Sequence, residues 1–193
     1  MRVFHGFDAL PRFRRPAVTV GSFDGVHLGH RALLERLVGE ARRRNAESVV
    51  LTFEPHPRVT LGRDEGLRLL TTLEEKTALL AASGVDALVV IPFDRSFSTL
   101  SGAEFLDRYL IGKIGAETLV VGYNHRFGHD RADCRKLAEE RGLQLVCVDE
   151  RSVGGEHVSS TVIRNLLACG RQDEAERLAG HALRPGNESN DLP

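Results

Sequence analysis

Apolar residues gather in short β-branched runs, and between the runs they recur with helical periodicity. Ala17–Val20 reads as a strand. Over residues 31–44 the positions Leu33, Leu34, Leu37, Val38 and Ala41 share one helical face. Residues 48–53 form a second apolar run. Thr72 and Glu75 make a capping box for a helix that runs to Ser83 and stops at Gly84. Residues 87–91 predict a third strand, ended by Pro92. Ser101 and Glu104 open another capped helix, extending to about Ile111. Residues 118–121 and 143–148 predict the fourth and fifth strands. Between them lies a helix over residues 131–141, stopped by Gly142. Ser160–Ala168 and Gln172–Ala179 are short helices separated by Gly170.

The strand runs are rich in Val, Leu and Ile without clean alternation, which argues burial on both faces. Their alternation with helices argues right-handed crossovers and a parallel sheet. The expected fold class is α/β: a Rossmann-like, doubly wound parallel sheet with a small C-terminal helical segment. Ligands in such folds sit beyond the carboxyl ends of the strands. There is no internal repeat. Residues 1–183 read as one domain, and residues 184–193, polar and rich in Pro and Gly, as a disordered tail.

A length of 193 residues suits one compact domain, and 41% hydrophobic with 27% charged residues is ordinary for a globular protein. The net charge of -1 lacks the basic surplus of a nucleic-acid binder. Arg42, Arg43 and Arg44 end a predicted helix and suit its dipole. Arg12, Arg14 and Arg15 read as a solvated N-terminal arm. The three cysteines are widely spaced with no Cys-x-x-Cys pair, which fits a reduced, cytoplasmic setting. Neither a signal-peptide core nor a membrane-length apolar run is present in the sequence.

The sharpest chemical signal is Gly21-Ser22-Phe23-Asp24-Gly25-Val26-His27-Leu28-Gly29-His30, between the first strand and the first helix. Gly29 lets a phosphate approach the backbone, and a helix start offers free N–H groups and the positive end of a dipole. His27 and His30 then face the same anion and could stabilise charge on a transferring phosphoryl group. Two alternatives are plain turn and cap histidines, or a metal pair. No further ligand cluster of matching type accompanies the histidines, so no metal ligand is assigned. Asp24 could orient a histidine, approach magnesium or form an Asx turn.

Three other segments leave predicted strands or open a helix. In Thr52-Phe53-Glu54-Pro55-His56-Pro57 the prolines stiffen the exit and fix the direction of His56, which suits a binding wall or an ordinary turn. In residues 122–128, Asn124 can donate and accept hydrogen bonds, Arg126 can pair with phosphate, and Phe127 can pack on a ring or in the core. Ser159, Ser160 and Thr161, with Arg164 one turn on, combine hydroxyls, helix N–H groups and a guanidinium.

These segments, taken in order, resemble the FMN adenylyltransferase module of bacterial bifunctional riboflavin kinase/FAD synthetases, within the H-x-G-H nucleotidyltransferase superfamily. The resemblance covers about residues 15–180, with a weaker match at Phe93-Asp94-Arg95-Ser96-Phe97 and Leu100-Ser101. It implies transfer of AMP from ATP to FMN, giving FAD and pyrophosphate by direct in-line displacement, with Mg²⁺. The substrates would be small molecules, with no nucleic acid or membrane partner. His27, His30, Thr161 and Arg164 would be catalytic. Gly21, Ser22, Phe23, Asp24, Gly29 and Ser160 would bind nucleotide. Pro55, His56, Asn124, Arg126 and Phe127 would bind flavin. The alternatives are a related adenylyl- or cytidylyltransferase with a different phosphorylated acceptor, or a non-catalytic nucleotide- or flavin-binding module. Two departures stand out: Ala132 where relatives often carry glycine, and His125 where many carry Phe. The riboflavin kinase barrel of such relatives is not expected within this sequence.

Overall fold

The computed structural model describes residues 1–63, 67–123 and 125–183. The expected disordered tail, residues 184–193, lies outside them. In chain order the elements begin β1 (Arg2–His5), β2 (Ala17–Val20), α1 (Leu28–Arg43), β3 (Ser48–Glu54) and α2 (Pro57–Thr60). Next come α3 (Leu73–Ala82), β4 (Ala87–Pro92), α4 (Arg95–Ser98), α5 (Gly102–Phe105) and a π-helical segment (Leu106–Ile114). The second half holds β5 (Thr118–Gly122), β6 (Arg126–Phe127), β7 (Ala132–Asp133), α6 (Cys134–Glu140) and β8 (Gln144–Val148). It ends with β9 (Ser152–Val153), β10 (Glu156–His157), α7 (Ser160–Ala168) and α8 (Gln172–Ala179).

Six strands form one sheet in the order β1-β4-β3-β2-β5-β8, every neighbour parallel. The chain winds outward from β2 through β3 to β4, then returns to place β5 on the other side of β2. That reversal creates a crevice at the carboxyl ends of β2 and β5, where α/β proteins bind ligands. The doubly wound α/β expectation is met.

Apolar clusters cover both faces of the sheet. Val18, Val20, Leu51, Val89 and Leu119 pack on one side with Leu106 and Leu110. Val50, Leu88 and Val120 pack on the other with Leu34 and Leu37 of α1. Burial of β2, β4 and β5 on both sides explains why their sequences do not alternate. A third cluster joins Ile163 and Leu166 to Ala175 and Leu178, making α7 and α8 a small unit beside the sheet.

Several boundaries differ from those the sequence predicts. Helix α1 begins at Leu28 rather than Arg31, because His27 caps it. Helix α6 begins at Cys134 rather than Arg131: Arg131 is left-handed (φ 53) and Ala132–Asp133 pair with β6 instead. The helix expected after Ser101 carries a π-helical segment and runs to Ile114. Strand β1 and the β9–β10 hairpin had no counterpart in the sequence pattern. Ala132, in place of the relatives' glycine, needs no positive φ: it is a strand residue, lying where any Cβ on Gly102 would meet it at 2.6 Å. Among the described residues no helix is long and apolar enough to cross a membrane.

Candidate active site

The crevice holds a cavity of about 600 Å³. It is lined from the β2–α1 loop, the end of β3, the turn after β5, the β8–α7 segment and the start of α7. Two loops distant in sequence thus meet around one space.

The β2–α1 loop is unusually contorted. Phe23, Gly25 and Val26 all have positive φ (48°, 82° and 34°). For a β-branched residue such as Val26 that is strained, costing about 1–3 kcal/mol, and it persists only where surroundings enforce it. Those surroundings are visible. Asp24, 3% exposed, accepts through Oδ1 from the backbone N–H of Leu70 (2.8 Å) and Thr71 (3.3 Å). Its Oδ2 accepts from Arg164 at 2.6 Å, and its carbonyl accepts from the Ser160 hydroxyl at 2.9 Å. The Gly25 N–H donates to Thr71 Oγ1 (3.0 Å), and the Gly25 carbonyl meets His181 Nε2 at 2.7 Å. Asp24 therefore joins the loop to both the lead-in to α3 and α7, not to a histidine.

His27 is the N-cap of α1: its Nδ1 accepts from the His30 N–H at 3.3 Å. The two imidazoles stack with centroids 3.7 Å apart and planes 14° apart. Phe23 packs against the His30 ring with centroids 5.1 Å apart and planes tilted by 53°. Burial first, then the neighbouring His157, pushes His27 down to about 4. Burial first, then His27 and Lys76, holds His30 well below the usual histidine range. Both rings are neutral at pH 7. With Nδ1 of His27 accepting, its proton sits on Nε2, an N–H donor for the cavity. His30 Nδ1 is buried with no partner among the described residues. Gly29 serves packing as well as access: a Cβ there would stand 3.2 Å from the His27 ring and 3.3 Å from the Val158 carbonyl.

On the opposite wall Ser159, not Ser160 or Thr161, caps α7, accepting from the Val162 N–H at 3.3 Å. The Ser160 hydroxyl proton is committed to Asp24. Thr161 is exposed in the cavity wall, and Arg164 lines the cavity with one arm held by Asp24. His27, His30, Thr161 and Arg164 thus surround one space, together with Gly21, Ser22, Phe23, Asp24, Gly29 and Ser160.

The residues expected at the flavin are divided. His56 lines the cavity and caps α2, accepting from the Arg58 N–H at 3.2 Å, and burial lowers its pKa. Pro55 is exposed outside the cavity lining. Arg126 pairs with Asp133 at 3.0 Å on the β6–β7 hairpin, away from the cavity. Phe127 is 3% exposed and packs against Phe105 with ring centroids 5.7 Å apart, so it belongs to the core. Asn124 lies outside the described residues.

Four wall residues, Asp149, Glu150, Arg151 and His157, had no signal in the sequence. Phe53, Tyr123 and His125 also line the cavity, from the two strand-exit segments that the sequence singled out. Glu150 accepts from the Tyr123 hydroxyl at 3.3 Å and pairs with His157. Behind the wall lies Lys76, 4% exposed and lowered by burial against the opposing pull of Glu54 and Asp24. Its charge in turn lowers His30 and His56. Among the described residues no group of three or more His, Cys, Asp or Glu is placed to hold a metal ion.

A family model described as FAD synthetase matches residues 11–162. A bifunctional riboflavin kinase/FMN adenylyltransferase of Escherichia coli (strain K12) is 38% identical over 185 residues, covering 94% of this chain and 59% of the relative. The chain therefore spans less than two thirds of that relative's length. A putative enzyme of the same description from Geobacillus thermodenitrificans (strain NG80-2) is 35% identical over 170 residues, covering 86% of this chain and 90% of the relative. A solved structure described as a macrolide-efflux protein from Streptococcus pneumoniae superimposes with a TM-score of 0.82 at 26% identity, over 94% of this chain and 60% of the other. Pantothenate synthetase from Thermus thermophilus shares the fold alone, with a TM-score of 0.56 at 20% identity over 93% of this chain and 81% of the other.

Proposed function

The chain belongs to the FAD synthetase family, and we propose that it transfers the adenylyl group of ATP to FMN, releasing FAD and pyrophosphate. A single observation carries this reading: the H-x-G-H loop and the start of α7 face one another across a cavity that also reaches the ends of β3 and β5. One half of the cavity suits a triphosphate and the other an aromatic acceptor.

An oxygen of the FMN phosphate attacks the α-phosphorus of ATP as the bond to the β-phosphate breaks, and the electron pair leaves with pyrophosphate. The attacking oxygen is already anionic, so no general base is required. Neutral His27 donates from Nε2 to the charge that builds on the transferring group, and its stacking on His30 fixes its direction. The N-termini of α1 and α7 present free N–H groups from opposite sides. Thr161 and Arg164 contact the leaving phosphates, with Arg164 pre-positioned by Asp24. Phe53, His56, Tyr123 and His125 form the acceptor wall.

Among the described residues three lining carboxylates, Asp24, Asp149 and Glu150, face two guanidinium groups, Arg151 and Arg164. A lining with one more carboxylate than guanidinium does not neutralise a triphosphate by itself. Mg²⁺ would be carried in by the phosphate oxygens of the nucleotide and would supply charge neutralisation at the leaving group.

The test is to incubate the protein with ATP, Mg²⁺ and FMN and to resolve flavins by chromatography. FAD with equimolar pyrophosphate supports the proposal, and folded protein that makes none refutes it.

A further inference from the structure

Among the described residues two arginines line the cavity, and their circumstances differ. Arg164 is largely buried and ion-paired with Asp24 at 2.6 Å, so its charge is already matched within the protein. Arg151 is exposed in the cavity wall, and among the described residues its guanidinium has no hydrogen bond or ion pair. Its backbone is nevertheless fixed: the Arg151 carbonyl accepts from the Val158 N–H at 3.1 Å. Val158 is buried, leads directly into the Ser159 cap of α7, and its carbonyl stands where a Cβ on Gly29 would meet it at 3.3 Å. Residue 151 is thus anchored where the starts of α1 and α7 converge, on helices of 16 and 9 residues.

We propose that Arg151 is a phosphate-binding residue of this site, closing over the β- and γ-phosphates of the nucleoside triphosphate and over the pyrophosphate product. This rests on the triphosphate reading of the cavity. Arg164, held by Asp24, gives direction to the anion, whereas Arg151 supplies the unmatched charge. A guanidinium that is unpaired among the described residues, on an anchored backbone, gains bidentate, charge-assisted bonds when a polyphosphate arrives. No covalent step is added: the residue acts on a dianionic or trianionic group that binds and leaves.

The test compares wild-type protein with Arg151→Gln and Arg151→Lys. In steady state, Arg151→Gln should raise KM for MgATP and the inhibition constant of pyrophosphate together by about tenfold or more, the size of one lost charge-assisted bond. KM for FMN should stay within about twofold, a difference too small to report a lost contact. Arg151→Lys should recover part of the loss. Direct titration of pyrophosphate into each protein by calorimetry gives a readout free of turnover. If the wild type binds pyrophosphate and Arg151→Gln binds it equally well, Arg151 is only a solvated surface residue and the assignment fails. If KM for FMN rises instead, the residue belongs to the acceptor half and the assignment also fails. If the wild type neither binds pyrophosphate nor forms FAD, the triphosphate reading fails and the role of Arg151 falls with it.

Discussion

At His27 one imidazole caps a helix with one nitrogen and leaves the other for the cavity. The two tasks can be separated. His27→Asn keeps a good N-cap and removes the ring. Stability should change by no more than about 1 kcal/mol in urea titration, while the rate of FAD formation falls about 10²- to 10³-fold, as for loss of one preorganised donor. The same residue makes a pH prediction. Burial holds His27 and His125 down to about 4, below the 6.5 of an unfolded histidine. The folded state therefore binds fewer protons between these values, so this contribution to stability is complete above pH 6.5 and is lost as pH falls toward 4. Melting temperatures measured across that interval should decline steadily on acidification. The activity profile should show no acid limb near 6.5 from His27. The pair of histidines was legible because both lie within four residues of chain. The Asp24–Arg164 bond was not, since 140 residues separate its ends and a lone Asp in a loop suits several partners equally.

At the scale of elements, periodicity revealed five of the six sheet strands and the long helices, because each is long enough to show a pattern. It missed β6, β7, β9 and β10, which are two residues each and have no period to detect. The early start of α1 was hidden for a chemical reason: histidine is not among the side chains that announce a cap. The contact between α5 and the β6–β7 hairpin shows how local choices compensate. Gly102 leaves room for Ala132, whose Cβ would lie 2.6 Å from one added at Gly102, with the Phe127 carbonyl at 3.0 Å. Gly102→Ala should cost about 1–3 kcal/mol by overpacking. Adding Ala132→Gly should return part of that loss, and a double-mutant cycle measures the coupling. Additive costs would mean that the hairpin shifts freely and that the two residues are independent.

For the molecule as a whole, the sheet was readable in advance, but its docking with the α7–α8 unit was not. That docking runs through the strained loop at residues 23–26, which Ser160, Arg164 and His181 all grip. A ligand seated across the cavity touches both sides of the junction. Saturation with MgATP or a non-reacting analogue at about 100 times Kd should stabilise the fold by about 2.7 kcal/mol. Hydrogen exchange should slow together at residues 21–27, 70–72 and 159–164. Protection restricted to one of these segments would show that the two units bind independently. The parallel imidazoles of His27 and His30 also have a magnetic consequence. Each ring lies in the other's shielding cone, so their carbon-bound protons should resonate upfield of ordinary neutral histidines, and any occupant that parts the rings would announce itself in the proton spectrum before a single turnover.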